Sequence, residues 1–311
     1  MISEKLNKKD KTLIVVVGPT AIGKTNLAIE VALKLKTEII SADSRQFYKE
    51  MSIGTAKPSY DDLQNVEHHF INNISVNEEY NVGKYEVEAL AKIKELHQKN
   101  DHIVMVGGSG LFIKAVCEGL DEMPEINMEL RKELNQRLEL DGLTSLLGEL
   151  EQRDPEYFSK VDKSNPQRII RALEVCLTTN QPYSSFRVNS PVERNFQIIK
   201  IGLNINRASL YERINLRVDQ MIVGGLLDEV KSLASFQHLN ALQTVGYTEL
   251  FDFINDKCSL ETAIELIKRN TRRYAKRQLT WFNKDEGIVW FSPDAVNNIM
   301  DHIKKSILKN A

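Results

Sequence analysis

The chain has 311 residues, room for two domains at about 150 residues each. Apolar residues at 42% and charged residues at 27% are ordinary for a folded soluble protein. The net charge of −2 excludes a globally basic nucleic-acid binder and leaves a local basic patch open. Cys117, Cys176 and Cys258 lie far apart with no C-x-x-C. That spacing argues against a disulfide framework and against a cysteine-built zinc site. The polar first residues and the lack of any span-length apolar run point to the cytoplasm.

Thr12 to Val17 is a β-branched run that predicts a buried parallel strand. Gly18, Pro19, Thr20, Ala21, Ile22, Gly23, Lys24 and Thr25 follow as GPTAIGKT, a full match to G-x-x-x-x-G-K-[ST]. Leu27, Val31 and Leu35 then stripe a helix. Strand, glycine-rich turn and helix are the context in which such a loop binds polyphosphate. Its N–H groups turn inward, Lys24 supplies a point charge, and the Thr25 hydroxyl is a natural Mg²⁺ ligand.

Glu38 to Ala42 predicts a second strand, with Asp43, Ser44, Arg45 and Gln46 in the loop beyond its C-terminal end. A carboxylate there lies in the crevice where open α/β sheets bind ligands. Asp43 could take a proton from a nucleophile or hold Mg²⁺ through water, or serve only as a loop Asx turn or helix cap. For His68 and His69, core packing or loop solvation is favoured over metal binding. Tyr85, Ala89, Ile93 and Leu96 mark another helix. His102 to Val106 predicts a third strand, which stops at Gly107-Gly108-Ser109-Gly110 rather than at the acidic residue of motor and switch ATPases.

Helical periodicity alone fills the chain from Met128 to about Leu177, with a break at Asp141-Gly142 and a helix start at Asn165-Pro166. Strands resume at Phe196 to Leu203 and Gly287 to Phe291. The expected architecture is α/β: a phosphate-loop NTPase-like parallel sheet with helices on both faces, built from residues 1–118 and 193–311 and interrupted by a helical insertion at 119–192.

Arg213 and Arg217 sit four apart on one helix, usually solvated or paired. Residues 268–284, KRNTRRYAKRQLTWFNK, carry seven basic residues and no acidic one. Arg269, Arg273, Lys276 and Arg277 share a helical face; Ala275, Leu279 and Phe282 form the buried stripe. A basic face beside Tyr274 and Trp281 can follow a nucleic-acid backbone. Gln167, Arg168 and Arg171 offer a weaker second contact. On the residues alone, a small-molecule kinase and a nucleotide-gated RNA-binding module stay open as alternatives.

GPTAIGKT, SADSRQFYKEMSIGTAKP (41–58), HHFI (68–71), VGGSGLFIKA (106–115), NPQRIIRALEV (165–175), QTVGYTEL (243–250) and AKRQLTWF (275–282) together resemble the bacterial tRNA dimethylallyltransferases, also called tRNA isopentenyltransferases. The resemblance implies transfer of a dimethylallyl group from dimethylallyl diphosphate to N6 of the adenosine 3′ of the anticodon, with Mg²⁺. It implies that residues 18–25 hold the diphosphate, that Thr25 holds the metal, that Asp43 is the general base and that Arg217 lies near the diphosphate. It further assigns tRNA contacts to Asp43, Ser44, Arg45, Gln46, Ser109, Arg131, Gln167, Arg168, Ile169, Ile170 and Arg171, beside the basic-face residues Arg273, Lys276 and Arg277. Ser109 stands where the family usually has Thr, and Phe112 where Tyr is common. A monomer is the default expectation.

Overall fold

The computed structural model describes residues 11–125, 127–188 and 190–308. The chain divides into two compact units, one of Met1–Glu118 with Glu193–Ala311 and the other of Gly119–Val192.

The first unit begins with β1 (Thr12–Val17), α1 (Lys24–Leu35), β2 (Ile39–Ser41), α2 (Tyr60–Asn65), β3 (His68–His69), α3 (Val82–Leu96), β4 (His102–Val106) and α4 (Gly110–Glu118). The second unit holds α5 (Met128–Arg153), α6 (Pro155–Lys160) and α7 (Pro166–Thr179). The first unit then resumes with β5 (Gln197–Leu203), α8 (Arg207–Val223), α9 (Leu226–Ser232), α10 (Tyr247–Ile254), α11 (Leu260–Phe282), β6 (Ile288–Phe291) and α12 (Val296–Leu308).

Six strands form one sheet in the order β3-β2-β4-β1-β5-β6, every neighbouring pair parallel. All six residues of β1 are buried. Side chains alternate across a strand, so Leu13, Val15 and Val17 enter one core with α3 and α4, while Ile14 and Val16 enter the other with α1, α8 and α12. Each such Leu, Ile or Val contributes about 1.5–3 kcal/mol of burial. The parallel order places the ends of β2, β4 and β1 side by side, so the loops after them share one edge of the sheet.

The strands expected to begin at Glu38, Phe196 and Gly287 are shorter here by one or two residues. His68 and His69, expected in a core or a loop, pair with Ile39 and Ile40 as the edge strand β3. His69 Nε2 lies 2.6 Å from Glu38 Oε2 and 4.0 Å from Glu67. Two residues are too few to show any hydrophobic period. Among the described residues, no helix is long and apolar enough to cross a membrane.

In the second unit, Leu134, Leu146, Leu150, Tyr157 and Leu173 make a separate core. Gly142 interrupts α5 with φ +76°. Asn165 caps α7 by accepting from the Arg168 N–H, with Pro166 at the first helical position.

Candidate functional site

Gly23 is the residue before α1 and has φ +101°, a left-handed conformation that an L side chain adopts only with strain. It turns the loop after β1 into the start of the helix, so Lys24 and Thr25 open the first turn. Lys24 Nζ donates to the Pro19 carbonyl at 2.7 Å. Lys24 as a residue is half-buried. The amine's surroundings set its proton affinity. Burial pulls its pKa down to about 7, the Asp43 carboxylate opposes that, and the Arg217 guanidinium adds to it.

Asp43 follows the end of β2. Its Oδ1 accepts from the Arg45 N–H at 3.0 Å, a local turn that fixes the carboxylate. Arg217, on α8, is partly buried; burial lowers its proton affinity and Asp43 restores part of it. Lys24, Asp43 and Arg217 therefore share one electrostatic neighbourhood, although β1, β2 and α8 deliver them separately. Arg213, one turn before Arg217, donates to the Ile22 carbonyl of the phosphate loop at 3.3 Å.

The turn after β4 adds Ser109. Its hydroxyl oxygen accepts from the Ser44 N–H at 3.0 Å and lies 3.2 Å from Ser44 Oγ. Tyr274 of α11 lies within electrostatic reach of Asp43 and Arg45; burial pushes its phenol up to about 12, and the Asp43 carboxylate adds to this. Phe112 is partly buried and packs its ring against the core, 5.6 Å from Phe47 and 5.2 Å from Tyr85.

Other members of the motif segments hold the loops. The Gln46 carboxamide accepts from Ser41 Oγ and donates to the Thr55 and Ala56 carbonyls, each at 3.2 Å, so it braces the loop. Glu229 accepts from the N–H groups of Ser52, Ile53 and Gly54 at 2.7–3.0 Å and from the Tyr247 hydroxyl at 2.6 Å. GTAKP and GYTEL thus meet at one carboxylate. Lys57 donates to Tyr48 O and Asn72 Oδ1, and burial lowers its pKa to about 8.

On α11 the exposed face carries Arg269, Arg273, Lys276 and Arg277. Arg277 lies over the Tyr274 ring, 5.7 Å from its centroid. Lys268 instead pairs with Asp219 at 2.8 Å and Glu265 at 3.2 Å, and Arg272 donates to Asn215 at 2.6 Å. Opposite the basic face, Ala275, Gln278 and Phe282 are buried and Leu279 is partly so. Sequence reasoning alone gives Gln278 no role. A polar residue on an otherwise apolar stripe is the signal that finds it.

In the second unit, Gln167 and Arg168 are exposed at the start of α7. Ile169 and Ile170 correct the expectation: both are core residues, 0% and 1% exposed. The helical period turns two of the five residues 167–171 inward, so their side chains are closed to tRNA. Arg131 and Arg171 both bind Glu174 Oε2, at 2.8 and 2.7 Å, and Glu174 is fully buried. Arg171 also donates to the Pro124 carbonyl at 3.1 Å. Each arginine keeps some exposure beyond this pairing.

The family described as IPP transferase matches residues 46–285. A tRNA dimethylallyltransferase of Christiangramia forsetii is 55% identical over 296 residues, covering 95% of this chain and 98% of its own. One from Flavobacterium johnsoniae is 49% identical over 308 residues, covering 96% and 100%. The crystal structure of the full-length tRNA isopentenylpyrophosphate transferase of Bacillus halodurans superposes with a TM-score of 0.72 at 34% identity, covering 97% of this chain and 98% of that one. A eukaryotic dimethylallyltransferase acting on tRNA superposes with a TM-score of 0.76 at 25% identity, over 91% of this chain and 74% of its own. With the match running from the loop after β2 to the end of α11 and beyond, the chain belongs to the IPP transferase family.

Proposed function

We propose that this chain is a tRNA dimethylallyltransferase, moving the dimethylallyl group of dimethylallyl diphosphate onto N6 of the adenosine 3′ to the anticodon, position 37. The observation that carries this reading is the convergence of Lys24, Arg217 and Asp43. Two basic side chains that can receive a leaving polyanion lie within electrostatic reach of one carboxylate able to take a proton.

The allylic C–O bond breaks, an N6–C bond forms, and the N6 proton passes to Asp43. The exocyclic amine is a weak nucleophile because its lone pair is delocalised into the ring. The reaction therefore depends on stabilising diphosphate as it departs. The loop N–H groups, Lys24 and Arg217 do this. Asp43, held by the Arg45 N–H, receives the proton as the bond forms. The adenine must leave its stack to reach the carboxylate. Ser109, Ser44 and Tyr274 line that approach, and Arg273, Lys276 and Arg277, with Gln167 and Arg168, bind tRNA phosphates. The protein works in the cytoplasm, where tRNA is met, as a monomer.

The Thr25 hydroxyl at the start of α1 and the Asp43 carboxylate are hard oxygen donors, which fits Mg²⁺. Thr25 would hold the ion, which would supply further neutralisation of the diphosphate.

The direct test is to incubate the protein with unmodified tRNA, Mg²⁺ and dimethylallyl diphosphate or ATP, then weigh the nucleosides. A five-carbon gain on adenosine with the prenyl donor is the expected result. Phosphoryl transfer from ATP to a small molecule, with no gain on tRNA, would replace this reading with a kinase.

Lys24 supplies a second test. Its pKa near 7 leaves about a tenth of it protonated at pH 8. A bound diphosphate stabilises the ammonium, so binding at pH 8 should draw a proton onto Lys24. Calorimetry in buffers of different ionisation enthalpy reads this uptake as the difference from Lys24→Met, which should lack it. The same lowered pKa means that the unfolded chain binds more protons between pH 7 and 10.5. Folding stability from this residue therefore rises with pH across that window.

A further inference from the structure

We infer that Gln278 is a positioning residue, locking the phosphate loop to the turn after β4 from the helix that carries the basic face. Its side chain is buried and bridges two loops with both ends of one carboxamide. Oε1 accepts from the Thr20 N–H at 2.8 Å, and Nε2 donates to the Gly108 carbonyl at 2.9 Å. Only a group with a donor and an acceptor on one plane satisfies both partners. Gly108 completes the fit: a Cβ there would collide with Gln278 Nε2, and the same point lies 3.8 Å from Lys24 Nζ. The carboxamide therefore stands beside the amine that meets the diphosphate.

The neighbours of Gln278 strengthen the assignment. Tyr274, Gln278 and Trp281 recur at four and three residues, one face of α11. Tyr274 lies within electrostatic reach of Asp43. Trp281 lies so close to Gly110 that a Cβ there would strike its indole. One helix face thus meets the phosphate loop and the turn after β4, and Gln278 is the member that ties the two together. The separation between the leaving-group loop and the turn beside the base is set by this tie. Misplacing reacting groups by about 1 Å can lower rate about 10²-fold.

The inference rests on the proposed prenyl transfer, so its test has one readout that does not. Gln278→Met keeps the volume and removes both hydrogen bonds. It should weaken binding of inorganic diphosphate at least tenfold by calorimetry, raise the KM for dimethylallyl diphosphate, and leave the Kd for tRNA within twofold. Loss of kcat alone in proportion to unfolded protein, with donor KM and diphosphate affinity unchanged, would mean a merely structural role and overturn the assignment. Gly108→Ala perturbs the same contact from the other side and leaves the sequence of α11 unchanged. It should reproduce the donor defect, and the double variant should be no worse than Gln278→Met alone. Additive losses would overturn the tie, and if Gln278→Met fails to fold, wild-type diphosphate affinity in Gly108→Ala does the same. A wild-type protein that binds diphosphate but prenylates no tRNA would sink the proposed function while leaving Gln278 to be judged on diphosphate binding.

Discussion

Asp43→Asn should lower kcat about 10²–10⁴-fold, the contribution of a positioned general base. Asn keeps the shape and can still accept from the Arg45 N–H, so the loop should survive. The basic lone pair is gone. The substitution also removes the charge that favours the protonated forms of Lys24 and Arg217. Lys24 should therefore lose its proton more readily, and donor binding should weaken more at pH 8 than at pH 6.5. Rapid-quench kinetics at pH 6.5 with saturating donor separates the two effects. The Kd for tRNA should stay within a few-fold. Wild-type kcat under those conditions would remove Asp43 from the proton transfer.

The second large effect belongs to the outer face of α11. Changing Arg273, Lys276 and Arg277 together to Gln should weaken tRNA binding and flatten the slope of log affinity against log salt by about two to three units. Each phosphate contact contributes roughly 0.7–0.9 to that slope. Gln has nearly the helix propensity of Arg and Lys, and all three side chains are exposed, so the fold should hold. Lys268 and Arg272 are poor choices for the experiment because each already has an intramolecular partner. Filter binding at several salt concentrations measures the slope. An unchanged slope would make this face merely solvated and move the phosphate contacts to Gln167 and Arg168. Affinity for diphosphate should be untouched.

Local signals carried most of the architecture. A buried strand, a glycine turn and a helix stripe lie within 24 residues of one another, from Thr12 to Leu35, and each has its own period. Asp43 was legible because a carboxylate after a strand has a known place in a parallel sheet. What escaped depends on partners far along the chain. The pairing of Arg131 with Glu174 spans 43 residues and changes the meaning of an arginine that the motif alone sends to tRNA. Ile169 and Ile170 were swept along with their neighbours because a motif is written as a line while a helix turns. Edge strand β3 was too short to have a pattern. Gln278 was hidden by its own surroundings, since stripe counting discards the polar position as noise.

The tie between Gln278 and Gly108 joins residues 170 positions apart. During synthesis, at about 5–20 residues per second, the turn after β4 waits roughly 10–30 s for its partner. Lys24 and Asp43 emerge early, yet Arg217 and the clamp of α11 arrive only when most of the chain has been made. A partly made chain therefore presents the phosphate loop without the groups that complete it. Competence for the reaction is a property of nearly finished molecules, and the late helix acts as its closing key.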